Sequence, residues 1–210
     1  MTTRRPQAVD AAVARPEGSA RSSTAVLLFP GAGSSSTHAS LVAVEAAVAP
    51  RLCVRADFPY RLAGRRAPDR APVLLQAVRD QVALLQAAGH RLVLGGRSMG
   101  ARMCSMVVGD AVDPVSAMGL VLISYPLHPP GKPESLRIEH LPRLAVPCLF
   151  IHGTRDPFGS PEELMLHTAA IPGRVTHRWI EGGRHDLAKA DERIAALVVE
   201  WLDNVEASAG

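Results

Sequence analysis

The sequence predicts an α/β fold: a mostly parallel sheet of about six strands with helices on both faces. Two observations carry this. Short apolar, β-branched runs alternate along the chain with longer runs of helical period, the pattern of strands joined by crossover helices. The changeovers are punctuated by turn formers, and the 210 residues include 17 glycines and 17 prolines.

In chain order, residues 1–23 are polar, with Pro, Gly, Ser and Ala, and are expected to form a disordered tail ahead of a single domain over 24–210. The first strand, near 25–29, runs into Pro-Gly-Ala-Gly, and a helix is expected near 36–49. A second strand near 51–56 leads through a long loop, 57–70, to a helix near 72–88. Val73, Leu74, Ala77, Val78, Val82, Leu85 and Ala88 mark one face of that helix. A third strand near 91–95 passes through Gly-Gly-Arg-Ser-Met-Gly into a helix near 99–109. A fourth strand near 118–123 is followed by a proline-rich connection, 124–146, and a fifth strand near 147–152. Ser160-Pro161-Glu162-Glu163 supplies a cap, a first-turn proline and first-turn acids for a helix near 160–170. A sixth strand near 174–180 and a helix near 187–205 complete the chain.

Composition narrows the function classes. With 47% hydrophobic and 20% charged residues, the chain can bury one sizeable core. The net charge of +3 comes mostly from arginines spread along the sequence, without a block of like charges, and aromatic residues make up only 4%. No nucleic-acid partner is therefore expected. No run reaches membrane-spanning length, and Arg4 and Arg5 precede no apolar h-region, so neither a membrane partner nor a secretory signal is expected. Cys53, Cys104 and Cys148 lie in or beside apolar stretches and read as reduced thiols of a cytoplasmic protein.

The chemistry is concentrated in three turns. Gly96-Arg97-Ser98-Met99-Gly100 is a G-x-S-x-G segment with a strand before it and a helix after it. A serine on such a sharp turn has a strained backbone, and the glycines remove side chains where neighbours come close. The alternative is a Gly-rich turn in which Ser98 only caps a helix. Asp156 follows the fifth strand in His-Gly-Thr-Arg-Asp-Pro-Phe-Gly, and His185 follows the sixth in Glu-Gly-Gly-Arg-His-Asp-Leu. A serine hydroxyl needs a base, and an imidazole needs a carboxylate to fix its tautomer. Ser98, Asp156 and His185 fill those roles in the order serine, acid, histidine. The Met99 N–H and, from Pro30-Gly31-Ala32-Gly33, the Ala32 N–H are the expected oxyanion donors, with Gly31 and Gly33 admitting substrate. That turn could also bind phosphate, although it lacks the spacing and lysine of a P-loop and has Ser36 where a third glycine would stand.

Other residues are open to two readings. Tyr60, Arg65 and Arg66 could line the cleft, with the arginines holding an anionic substrate group, or belong to a solvated basic loop. Tyr125, after the fourth strand, is a further substrate-contact candidate. His152 reads as a hydrogen-bonded buried histidine beneath the acid turn. His38 and His128 read as wall or surface residues, and Arg97 as pointing along the surface beside the helix.

The segments PGAG, FPYRLAGRRAPD, GGRSMGAR, HGTRDPFG and GGRHDL resemble the α/β-hydrolases. The resemblance is to small lidless members related to the dienelactone-hydrolase-like enzymes, and most of all to the KANL/testis-expressed group of hydrolase-like proteins. It runs from about residue 25 to the C-terminus. It implies an α/β-hydrolase fold, minimal and lidless, with chain-order strands 2-1-3-4-5-6 and without the usual N-terminal hairpin. It also implies a serine hydrolase cleaving an ester or thioester of a small acyl substrate, with no metal or organic cofactor. Pro30 departs from the histidine that many hydrolases carry before the oxyanion glycine. The competing reading is a non-catalytic interaction module on the same fold, or a peptidase or acyltransferase using the same triad. Oligomeric state is left open.

Overall fold

Strands β1 (Thr24–Phe29), β2 (Leu52–Arg55), β3 (Arg91–Arg97), β4 (Gly119–Ile123), β5 (Cys148–Gly153) and β6 (Val175–Ile180) form one sheet in the order β2-β1-β3-β4-β5-β6. All five pairings are parallel. The computed structural model describes residues 24–208, so the expected N-terminal tail lies outside the described residues. From β1 the chain moves outward to β2, then crosses back to place β3 on the other side of β1. The loops that leave β1 and β3 therefore diverge at the carboxyl edge, where open α/β sheets bind their ligands.

Strand parity sorts the core into two layers. Ala25, Leu27 and Phe29 of β1 pack with buried residues of α3 (Ala71–Ala87), α4 (Met99–Val108) and α5 (Pro161–Thr168). Val26 and Leu28 pack on the opposite side with α1 (Ala39–Val48) and α6 (Asp191–Ala207). Both faces of β1 are covered, so its run from Ala25 to Phe29 is continuously apolar instead of alternating. The α3 face expected from periodicity is buried at Leu74, Val78 and Val82, while Val73 at its margin is 46% exposed. Ser160 and Glu163 form a reciprocal capping box at the start of α5.

Three local differences have physical causes. Within the 57–70 loop a single turn, α2 (Pro59–Leu62), forms because Phe58 and Tyr60 are both pulled into the core; the Phe58 and Phe29 rings are 4.8 Å apart. The last helix starts at Asp191, later than the expected 187, because Leu187 and Lys189 take left-handed backbone with φ of 48° and 63°. The β4–β5 connection contains only a 3₁₀ turn, Leu141–Arg143, and is stitched down: the Tyr125 hydroxyl donates to Arg137 O at 2.6 Å, and Leu127 packs on Gly159.

Candidate active site

The turn after β3 is tightly seated. Ser98 has φ 49° and ψ −112°, and its N–H donates to Ile123 O at 2.8 Å across the neighbouring strand. Positive φ at a non-glycine residue costs about 1–3 kcal/mol unless its surroundings enforce it. Here the glycines let the surroundings close in. A Cβ on Gly96 would fall 2.0 Å from Phe29 O, and one on Gly100 2.2 Å from the same oxygen. The turn thus rests directly on the end of β1, and no side chain fits between them. Ser98 is also the residue before α4, so unpaired first-turn N–H groups and the positive helix end lie beside its hydroxyl.

Ser98 Oγ lies 2.8 Å from His185 Nε2. On the other side of the ring, His185 Nδ1 lies 2.8 Å from Asp156 Oδ2 and 3.0 Å from Oδ1. The Asp156 side chain has no solvent exposure, whereas His185 is 22% exposed, so the acid is internal and the imidazole borders the opening. An ionised carboxylate only accepts, so Nδ1–H faces Asp156 and the Nε2 lone pair faces the Ser98 hydroxyl. Phe158 N–H also donates to Asp156 Oδ1 at 2.9 Å, fixing the carboxylate. The Phe158 ring stacks on His185 at 4.0 Å between centroids, fixing the imidazole plane. Below them, fully buried His152 donates from Nε2 to Gly159 O at 2.9 Å and lies 3.5 Å from Asp156 Oδ2; its Nδ1 has no hydrogen-bond partner among the described residues. Burial pushes its pKa down, so it stays neutral beneath the acid turn.

The Pro30–Gly33 loop is held from the β2 side of the sheet. The Tyr60 hydroxyl donates to Ala32 O at 2.8 Å. Asp57 accepts from Ser36 N–H and Ser36 Oγ, each at 2.7 Å, and Arg55 donates to Ser36 O. The Tyr60 bond thus fixes the Ala32 carbonyl one residue along from Gly31, which lies against Ser98. Gly31 and Gly33 have no crowding of the kind found at Gly96. A Cβ on Gly31 would stand 3.5 Å from Ser98 Cβ, so the missing side chain leaves open the space next to the hydroxyl.

The structure brings Ser98, His185 and Asp156 together, with Met99 next to Ser98 in the chain and Gly31, the neighbour of Ala32, against Ser98; the other expected contacts lie elsewhere. Tyr60 and Tyr125 are fully buried, each with its hydroxyl on a main-chain carbonyl, so neither can face substrate. Arg65 pairs with Asp69 at 2.7 Å, four residues along, and is committed to its own loop. Arg66 is exposed and has no partner among the described residues, so both arginines follow the solvated-loop reading. Arg97 corrects its expected surface position most. It is 5% exposed and donates to His185 O and to His38 Nε2, the latter at 3.3 Å. His38, placed by sequence on the cleft wall or surface, instead stands at the N-cap of α1; with Nε2 accepting from Arg97, its Nδ1–H donates to Ser40 Oγ at 2.9 Å. His128 is buried, with Nδ1 donating to Pro129 O at 2.9 Å.

Burial pushes the Cys53 and Cys148 thiols up to about 12 and Cys104 higher still, so all three are protonated at neutral pH. Among the described residues, no three His, Cys, Asp or Glu side chains converge in a way that could hold a metal ion. No helix among them is long and apolar enough to cross a membrane.

Solved structures share this architecture. An α/β serine hydrolase homologue from Coxiella burnetii superposes with a TM-score of 0.70 at 18% identity, over 90% of this chain and 88% of that one. Est1E from Butyrivibrio proteoclasticus gives 0.68 at 14% identity, covering 88% of each chain. The structure described for LipS and LipT, two metagenome-derived lipolytic enzymes, gives 0.69 at 17% identity, over 87% of this chain and 94% of that one. At such identities the likeness establishes the fold. The family model described as the alpha/beta hydrolase domain matches residues 22–206, nearly the whole chain, and the chain belongs to that family.

Proposed function

We propose that this hydrolase cleaves an ester or thioester of a small acyl substrate by nucleophilic catalysis. The observation that carries the reading is the continuous hydrogen-bonded line Ser98 Oγ–His185 Nε2 and His185 Nδ1–Asp156, each link about 2.8 Å. Ser98 Oγ attacks the acyl carbon as His185 Nε2 takes its proton, and Asp156 stabilises the imidazolium. The carbonyl oxygen becomes an oxyanion facing the Met99 and Ala32 N–H groups. Each such donor is typically worth about 10²–10³ in rate. His185 returns its proton to the departing alcohol or thiol, leaving an acyl-Ser98 ester. Water, deprotonated by the same histidine, then releases the acid. No metal or organic cofactor enters these steps. The finer kinship with dienelactone-hydrolase-like enzymes and the KANL/testis-expressed group is supported by the five motif segments of the sequence.

The test is covalent labelling with a fluorophosphonate, followed by hydrolysis of short p-nitrophenyl esters. The label should map to Ser98, and Ser98→Ala should fold as wild type while losing on the order of 10⁴-fold or more of kcat. A folded wild type that neither labels nor turns over any ester would replace this reading with an interaction module.

A further inference from the structure

A second polar cavity, of about 200 Å³, lies between α3, α4 and the 136–143 segment, and none of Ser98, Asp156 or His185 lines it. Its walls carry three guanidinium groups, Arg102, Arg137 and Arg143. Their partners do not balance them. The Arg102 side chain makes no hydrogen bond or ion pair among the described residues, and its Nε is buried and unpartnered. Arg137 has only a long bond, 3.4 Å, to Pro126 O. Arg143 is held by carbonyl oxygens, Gly109 O at 2.6 Å and Glu139 O at 3.1 Å.

Two acids border the cavity, and neither meets these groups. Asp110 is taken by Arg79 at 3.0 Å and by the N–H groups of Val112 and Asp113. The Glu139 side chain is exposed and forms no ion pair among the described residues. His140 adds no charge at neutral pH: burial, then Arg102 and Arg143, push it down to about 4. Burial, followed by the charge of Arg102, also lowers the Arg137 pKa, the sign of two like charges sharing a partly dry space.

We propose that this cavity is a binding site for a small oxyanion of the phosphate class, gripped by Arg102 and Arg137. Placing two guanidiniums together without an acidic partner is unfavourable through repulsion and desolvation, and a doubly charged tetrahedral oxyanion cancels the first and offsets the second. The flat fork of an arginine matches two oxygens of such a group. The volume is below the roughly 300–1,000 Å³ of sites for drug-sized ligands, which fits a phosphate or the phosphate end of a small monoester. Apolar Leu75 and Met106 on the same wall leave room for the first carbons of that ester.

The experiment is calorimetric titration of the full chain with inorganic phosphate and, separately, with glycerol phosphate, each against sodium chloride at matched ionic strength. Wild type should bind phosphate with saturable heat and a rise in Tm that chloride does not give. Arg102→Met and Arg137→Met should each weaken binding about tenfold or more, the loss of one charge-assisted pair. Two separate variants are used so that misfolding of one leaves the other as the test. Ser98→Ala should bind as wild type, which separates this site from the reactive serine. Tighter binding of glycerol phosphate than of phosphate identifies a monoester ligand, and equal binding identifies the free ion. Equal effects of phosphate and chloride on wild type, or undiminished binding by both folded arginine variants, would overturn the proposal.

Discussion

Arg97→Met isolates the contribution of a buried cation to the geometry of the histidine. The arginine is 5% exposed, and its guanidinium donates to the main-chain oxygen of His185 and to His38 Nε2. Hydrogen bonds from a charged donor contribute about 1.5–3 kcal/mol each. That gain is offset by the cost of burying the charge, which is why burial lowers the Arg97 pKa despite Asp186, Asp156 and Asp191 nearby. Methionine fills much of the volume without the charge, so the net stability loss should be only about 1–2 kcal/mol. At about 2–4 °C per kcal/mol for a domain of this size, Tm should fall by roughly 2–8 °C.

The kinetic effect should be larger. Without Arg97 the His185 carbonyl loses its anchor, and the 2.8 Å contact between Ser98 and His185 is set only by Asp156 and the stacked Phe158 ring. A misplacement of about 1 Å at a reacting group can cost on the order of 10²-fold in rate. Steady-state hydrolysis of p-nitrophenyl acetate, with the rate of fluorophosphonate labelling as a second readout, should show kcat down about 100-fold and KM changed little. Arg97→Lys, which keeps the charge but has one donor head, should fall between the two. A folded Arg97→Met variant with kcat within about threefold of wild type would refute the positioning role.

Two further substitutions probe the surroundings. Tyr60→Phe removes the donor to Ala32 O, and should cost about 1 kcal/mol of stability and roughly tenfold in kcat at unchanged KM, less than the roughly 10²–10³ of a whole oxyanion donor; unchanged kcat would show that the loop holds its shape without it. His140, bonded to Ser105 Oγ at 2.8 Å, has its pKa lowered to about 4 in the folded chain from an ordinary 6.5. The unfolded chain binds the extra proton first, so this stability is complete above pH 6.5 and is lost as pH falls towards 4. At 1.36 kcal/mol per unit the loss approaches about 3 kcal/mol. Thermal melts from pH 7 to 4 should show a smaller fall in Tm for His140→Gln than for wild type, and parallel curves would exclude His140 as the source.

Strand parity and turn chemistry explain what could be read in advance. The positions of the strands, the turn at Ser98 and the placement of Asp156 and His185 follow from apolar runs ending in glycine- or aspartate-bearing turns, whereas the strand order follows from the resemblance to the α/β-hydrolases. Tyr60 was misjudged because an aromatic next to arginines in a long loop looks like a cleft wall, whereas Pro59 starts a helical turn that carries Tyr60 inward beside Phe58. Arg97 left a signal that could have been used. It shares strand parity with Val93, which packs on the α1 and α6 side, so its side chain was bound to enter that layer instead of the surface. Leu187 and Lys189 left none, since neither residue type favours the left-handed backbone that delays α6.

The late position of His185 has a consequence for biosynthesis. Its loop is fixed at one end by β6 and at the other by α6, whose Ile194, Val198, Trp201 and Leu202 complete the layer over Val26, Leu28 and Val93. In the proposed mechanism, a nascent chain that has emerged just past Asp156 has its nucleophile and acid outside, while its base, 29 residues later, is still in the ribosome. The serine therefore gains its hydrogen-bonding partner only when the last helix docks and the domain closes. In that mechanism a chain without His185 in place has no base for Ser98, and proteolytic loss of α6 should lower reactivity towards acyl compounds.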